Sequence, residues 1–395
     1  MPIDLDQARA ETEGCARVVH LNNAGAALIP TCVLEAQTAH LRREARMGGY
    51  EAADAAADDI ARCYTAAAEL LNCNPADIAI TDSATSAWHA AFHAMAFAPG
   101  DRVLTGMSEY ASNYIAFLQA QQRYGIEIAP VPDDENGQLD TAALNAMIDA
   151  RTKLIAVTHV PTNGGLVNPA AEIGRIARAH GVPYLLDACQ SVGQMPLDVA
   201  EIGCDLLAAT GRKYLRGPRG TGFLYVNPEI LHRLEPPMLD LRGGRWTAPD
   251  SYQARPDARR FETFEFNYAA VIGLGVAIDY ALSWGLGGIE GRITWLAETL
   301  RRRLARVPGL KLHDRGRRTC GLVTFAIDGL AANTVHRRLR EQNINISVAD
   351  PHSTLLDSRQ RGLPPLLRAS VHYYNTEQEL DGLIDALAAL RAEAA

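Results

Sequence analysis

Seven short apolar runs, each five to eight residues long, recur between residues 77 and 226. They are DIAIT (77–81), RVLTG (102–106), IEIAPV (126–131), KLIAVTHV (153–160), PYLLDA (183–188), DLLAAT (205–210) and GFLYV (222–226). Runs of this length bounded by turn residues suit strands buried on both faces. Between several of them lie helical patterns such as TAALNAMIDA and PAAEIGRIARAHG, the latter ending in a glycine placed to cap it. Strand, helix and strand at this spacing predict an α/β fold, a mainly parallel seven-stranded sheet with helices on both faces.

Beyond residue 230 the pattern changes. EPPMLDLRGGRWTAPDSYQARPDARR (235–260) is rich in Pro, Gly and Arg and reads as a long functional loop. A helix is expected near 268–284. Its AAVIGLGVAI (269–278) is the longest clean apolar run, too short to span a bilayer. Strand-like segments follow at TCGLVTFAI (319–327) and LLRASV (366–371), then a helix from about Glu377. This predicts a large domain over 16–280 and a smaller α+β domain built from 1–15 and 281–395.

Bulk properties narrow the partners. A net charge of −8 argues against nucleic acid, and no segment suggests a membrane. The start, MPIDLDQARAETEGCARVV, lacks the apolar core of a signal peptide. Seven scattered cysteines with no CxxC pair suggest reduced thiols and a cytoplasmic protein.

Lysine is the rare residue here. Of 38 Lys+Arg, only Lys153, Lys213 and Lys311 are lysines. Lys153 and Lys311 stand at strand entrances, where any cation would serve. Lys213 stands just past a strand end, in GRKYLRGPRG (211–220), among three arginines. Open parallel sheets bind ligands beyond the carboxyl ends of their strands. Three other strand ends are suggestive. DSATSAWHAAFHAM offers small and hydroxyl residues at a helix start, suited to a phosphate or to a simple N-cap by Ser83 or Thr85. LLDACQS ends a strand in Asp187, costly to bury without a partner unless it caps the next helix. HVPTNGG carries Thr162 and Asn163.

An anion site, an isolated carboxylate and a lysine at one sheet edge suit pyridoxal 5′-phosphate. A lysine amine forms a Schiff base; a guanidinium, always protonated, does not. The aspartate pairs with the protonated pyridine nitrogen and keeps the ring an electron sink.

The stretch YLLDACQSVGQMPLDVAEIGCDLLAATGRKYLRGPRGTGFLYV strongly resembles the class V aminotransferase family, within the fold-type I pyridoxal-phosphate enzymes. The likeness runs from LNNAGAAL (21–28) to LLRASVHYYNT. That family includes cysteine desulfurases, isopenicillin N epimerases and hercynylcysteine sulfoxide lyases. The resemblance implies that Lys213 carries the cofactor, Asp187 pairs with the ring nitrogen and Gln190 contacts the ring hydroxyl. It implies that Ala84, Thr85 and Thr210 hold the phosphate, with Arg212, where many relatives have histidine, adding a cation. Tyr110, in SEYASNY, would stack on the ring, with Thr162 or Asn163 near the ring oxygen. Arg368 would clamp the substrate carboxylate, and Asn22 would sit on the substrate side. It also implies a homodimer with active sites at the interface. A partner-loop threonine that reaches the phosphate in many relatives is replaced by Glu265, expected instead to pair with Arg212 or Arg216.

Two further features bear on substrate and metal. Arg242 and Arg245, beside glycines in the long loop, suit an anion-contacting substrate loop or a solvated basic one. His89 and His93 share a helix face, but no third ligand is evident, so no metal is expected. Cysteine desulfurases carry a catalytic cysteine ahead of the carboxylate-binding arginine. NINISVADPHSTLLDSRQRGLPPLLRAS has none, and Cys189 reads as a small apolar filler. The first expectation is therefore β-elimination from an S-substituted cysteine or cysteine sulfoxide, a C–S lyase reaction. Epimerisation, with Tyr110 as a second proton donor, and transamination are the alternatives.

Overall fold

The computed structural model describes residues 3–393. Its seven-stranded sheet consists of β1 (Ile78–Thr81), β2 (Arg102–Gly106), β3 (Glu127–Val131), β4 (Thr152–Thr158), β5 (Tyr184–Asp187), β6 (Leu206–Thr210) and β7 (Gly222–Val226). Each coincides with one apolar run of the sequence. The spatial order is β1-β7-β6-β5-β4-β2-β3. Six strands share one direction, and β7 alone runs the other way, antiparallel to both neighbours. Every residue of β5, β6 and β7 is buried, as a sheet covered on both faces requires.

Alternation along the strands divides the core. Leu154, Ala156, Leu185, Leu206, Ala208 and Leu224 face a layer containing Trp88, Phe92 and Phe117. Trp88 stacks on Phe92 with ring centroids 5.0 Å apart, and Phe117 meets Phe92 edge-on at 5.3 Å. Ile155, Val157, Leu186, Leu207, Ala209 and Phe223 face the opposite layer, with Tyr64, Leu274 and Ile278. The helices used below are α1 (Ala84–His93), α2 (Ala111–Tyr124), α3 (Ala170–His180) and α4 (Tyr268–Trp284). Gly181 closes α3 in the left-handed region, φ 65°, its N–H returning to Ala177 O, as its place in the sequence predicts. α4, which holds the apolar run 269–278, is buried over most of its length. No single helix among the described residues is long and apolar enough to cross a membrane.

The 235–260 stretch differs from expectation. It is not a bare loop, because Gly244–Ala248 and Ser251–Ala254 form an antiparallel hairpin and Ala258–Phe261 a 3-10 turn. Arg242 anchors it. Its Nε donates to the buried Glu262 at 2.8 Å, and the same carboxylate accepts from Tyr64 and from the backbone of Ile80 on β1.

The smaller part is an antiparallel sheet of β8 (Leu310–Leu312), β9 (Leu322–Ile327), β10 (Ser347–Ala349) and β11 (Leu366–Ser370), in the order β8-β9-β11-β10. The chain turns into it at Gly285, between α4 and a second long helix, Leu286–Leu304, inclined to it by 78°. The N-terminal arm joins this part beyond residue 15. Val19 and His20 pair in parallel with Ile344 and Asn345, and Asn22 bridges to Ser370. The arm thus reaches Asn22 on the small side. Residues 1, 2, 394 and 395 of the expected small domain lie outside the described residues.

Arg216 fastens arm, tail and lysine turn together. It is 1% exposed, in the left-handed region at φ 60°, and its N–H closes a turn on Lys213 O. Its guanidinium donates to Leu28 O, Tyr373 Oη and Thr12 Oγ1. It also lies 4.6 Å from the Tyr374 ring centroid. These hydroxyls and aromatic faces hold a buried cation to which, among the described residues, no carboxylate is bonded. Arg216→Ala strands several buried acceptors, so it should lower unfolding stability by about 3 kcal/mol or more. Arg216→Lys, without the planar fork, should recover only part of that in chemical denaturation.

Candidate active site

Six strands of one direction bring six carboxyl ends to one edge of the sheet. Five of the turns beyond them converge on a cleft of about 370 Å³. β1 leads to Ala84 and Thr85, and β2 to Tyr110 and Asn113. β4 ends at Thr158 and runs on to Val160 and Thr162, and β5 ends at Asp187, followed by Cys189 and Gln190. β6 leads to Lys213. All of these residues line the cleft.

Asp187 is buried, and burial pushes its carboxyl above the usual range. Opposing this, Oδ2 accepts from Asn113 Nδ2 at 2.9 Å, Oδ1 accepts from the Cys189 N–H at 2.9 Å, and the Lys213 charge lies close by. A proton on a pyridine nitrogen would supply the missing cation. Burial also pushes the Cys189 thiol up, against the pull of Lys213.

At the β1 end, Ser83 caps α1, its Oγ accepting from Ser86 N at 3.1 Å. The cap leaves the N–H groups of Ala84 and Thr85 at the head of the helix, free of intrahelical partners by geometry. Gly222 packs under them: a Cβ there would lie 2.5 Å from Ser83 C and 2.9 Å from Ala84 N. The cap and the phosphate site read from the sequence are thus the same turn.

Gln190 Nε2 donates to Ala24 O at 3.2 Å, and its buried Oε1 has no partner among the described residues. Arg368, 7% exposed on β11, donates through Nη1 to Thr162 O and Oγ1 at 2.9 and 2.8 Å. Among the described residues its Nε has no partner and no carboxylate is bonded to it, and burial lowers its affinity for a proton. Orphaned polar atoms of this kind, with a helix N-terminus, a lysine and a buried carboxylate, fit the phosphate, ring hydroxyl and ring nitrogen of pyridoxal phosphate and the carboxylate of an amino acid.

Other expected residues fall elsewhere. Thr210 is buried just outside the cleft lining, its hydroxyl donating to Thr221 O at 3.2 Å. Arg212 donates to Gly25 O and so ties the lysine turn to the N-terminal arm rather than lining the phosphate end. Asn163 points to the small sheet's side, bonding Thr354 Oγ1 at 3.2 Å, which leaves Thr162 beside the cleft. Asn22 does not line the cleft; it bridges to Ser370, and its buried Oδ1 has no partner among the described residues. Arg242 and Arg245 do not reach it in this chain. The first is bound by Glu262, and the second is exposed on the hairpin. Glu265 meets neither Arg212 nor Arg216, both engaged by carbonyls and hydroxyls. It lines a surface hollow with Leu41, Tyr50 and Phe264. The sequence reading passed over Asn113, Thr158 and Glu109, although Glu109 and Asn113 lie in SEYASNY at the i, i+4 spacing.

A model of the class V aminotransferase family matches residues 19–383. A probable cysteine desulfurase of Methanothermobacter thermautotrophicus is 30% identical over 376 residues, covering 93% of this chain and 94% of the relative. The apo structure of a cysteine desulfurase from Thermococcus onnurineus superposes with TM-score 0.91 at 25% identity, covering 100% and 99% of the two chains. The cystine C–S lyase C-DES, in complex with its product cysteine persulfide, gives TM-score 0.86 at 27% identity, covering 95% and 99%. A C-DES variant has glycine covalently linked to its PLP cofactor. The chain belongs to the class V aminotransferase family: it is a fold-type I enzyme, and its cofactor is pyridoxal 5′-phosphate.

Lys213→Ala should abolish the visible Schiff-base absorbance of the purified protein. Gly222→Ala should displace the head of α1 and weaken cofactor binding by about tenfold or more, read by titrating the apo-enzyme with pyridoxal phosphate.

Proposed function

We propose that this enzyme is a C–S lyase that releases pyruvate and ammonia from an S-substituted cysteine or cysteine sulfoxide. The observation that carries this reading lies between β10 and β11. There the chain folds as a 3-10 turn, Pro351–Thr354, and a helix, Leu355–Arg361, tied to Asn163 through Thr354 and Asp350. No cysteine follows Cys320 anywhere in the sequence. No thiol of that segment can take up sulfur, so sulfur would leave with the departing fragment. The likeness to C-DES, itself a cystine C–S lyase, supports the same reading.

Pyridoxal phosphate, when bound, supplies the electron sink for a proton lost from the substrate α-carbon. The protein supplies the rest. Arg368, held by Thr162, binds the substrate carboxylate through its free nitrogens. Lys213 Nζ takes the α-proton. Asp187 holds a proton on the ring nitrogen, and Gln190 Oε1 and the N–H groups of Ala84 and Thr85 fix the ring and phosphate. Tyr110 lies over the cleft.

The working form is proposed to be a homodimer. Leu41, Met47, Tyr50 and Phe264 leave apolar surface exposed, and several of them surround the hollow that holds Glu265. All seven cysteines are unpaired, in keeping with a reducing cytoplasm.

The test is a panel of S-substituted cysteines and cysteine sulfoxides given to the holoenzyme without a keto-acid acceptor. Pyruvate should accumulate over many turnovers. A cofactor band that responds to amino acids while no pyruvate forms would defeat the lyase reading. Arg368→Lys should raise KM for the best substrate about 10- to 100-fold, the loss of a charge-assisted bidentate contact.

A further inference from the structure

We propose that Glu109 is a positioning residue of this site: through Asn113 it fixes the carboxylate of Asp187 and governs the charge that Asp187 presents to the ring nitrogen. The inference rests on the reading of Asp187 as the ring-nitrogen partner.

Glu109 does not line the cleft, yet it holds three residues that do. It lies in the turn after β2, 4% exposed. Oε1 accepts from Tyr110 N at 2.9 Å, from Asn113 Nδ2 at 2.8 Å and from the Thr158 hydroxyl. Oε2 accepts from Thr158 N and Thr105 Oγ1, each at 3.1 Å. Tyr110, Asn113 and Thr158 belong to the turn after β2, the first turn of α2 and the end of β4. One carboxyl group therefore registers two strand ends and a helix against each other.

Asn113 is the link. Its Nδ2 donates to Glu109 Oε1 and to Asp187 Oδ2. Both amide hydrogens are spent on carboxylates, so turning the amide over would set its carbonyl oxygen against two acids. The orientation of Asn113 is fixed from the Glu109 side, and Asp187 inherits it. Asp187 and Tyr184 are the titratable groups facing Glu109, and among the described residues no arginine or lysine is bonded to it. Burial first, and then the nearby Asp187, push the Glu109 carboxyl up to about 7, against the bonds from Thr158, Asn113 and Tyr110. Its five bonds all come from donors, which favour the ionised form and set a second anion near Asp187. An added anion holds the ring proton more tightly.

Five variants of the holoenzyme test this: Glu109→Gln, Glu109→Ala, Asn113→Ala, the Glu109→Ala/Asn113→Ala double and Asp187→Asn. Two quantities are read without substrate: the pH midpoint of the cofactor's visible absorbance change, and the cofactor Kd of the apo-enzyme. Removing the Glu109 charge should move the midpoint to lower pH by about 0.5–1 unit in Glu109→Gln. Glu109→Ala and Asn113→Ala should each raise Kd about tenfold. Joined in one chain, they should cost little more than either alone, because they break the same link. An unchanged midpoint in Glu109→Gln, or strictly additive losses in the double variant, overturns the proposal. If neither Glu109 variant folds, Asn113→Ala decides, and an unchanged midpoint and Kd there overturn it. Asp187→Asn separates the two readings. If it alters the spectrum while the Glu109 variants do not, only the Glu109 proposal fails. If it leaves the spectrum unchanged, the ring-nitrogen assignment itself fails.

Discussion

Burying the carboxylate of Asp187 at the end of a strand covered on both faces costs free energy that only well-placed partners offset. The parallel sheet is what places them. Asn113 arrives from the helix after β2, Lys213 from the turn after β6, and the Cys189 N–H from Asp187's own turn. Even so, burial leaves the carboxyl above its usual range. A further cation against Asp187 would offset that burial, and the protonated ring nitrogen of a bound cofactor would supply one. The same reasoning applies to Arg368, a buried guanidinium with no carboxylate of its own. Cofactor and substrate would each bring a charge opposite to the buried group that faces them.

Much of this was legible in the sequence because continuous apolar runs report burial on both faces. All seven strands of the large sheet were found, as were α4 and the C-terminal helix. Ala84, Thr85, Tyr110, Thr162, Asp187, Gln190 and Lys213 come together at the cleft as expected. The hairpin at 244–254 was missed because prolines and glycines mask its short strands. Arg242 was misread because its partner Glu262 lies 20 residues along and is buried, a fact visible only once the chain is folded. Asn163 and Arg212 sit one residue from cleft-lining positions, and successive residues beyond a strand end point in different directions. Glu109 went unremarked for a related reason: its partners come from β2, β4 and α2, and no spacing along the chain announces that meeting.

The proposed reaction rests on the segment ahead of Arg368 more than on the cofactor residues. Lysine, aspartate and arginine serve every reaction that starts by loosening an α-proton. Here that segment is a turn and helix without sulfur, joined to Asn163 next to the residue that orients Arg368.

Arg216 bears on how the protein comes into being. It binds Thr12 and Tyr373, which lie 204 and 157 residues away along the chain. Arg9, near the start, bonds Glu379, near the finish. All seven strands of the large sheet precede residue 227. The turn that carries Lys213 is fastened through Tyr373, well beyond them in the chain. Contacts this distant in sequence close late. A chain without the segment around Tyr373 would leave Arg216, and the turn it closes on Lys213, short of a partner.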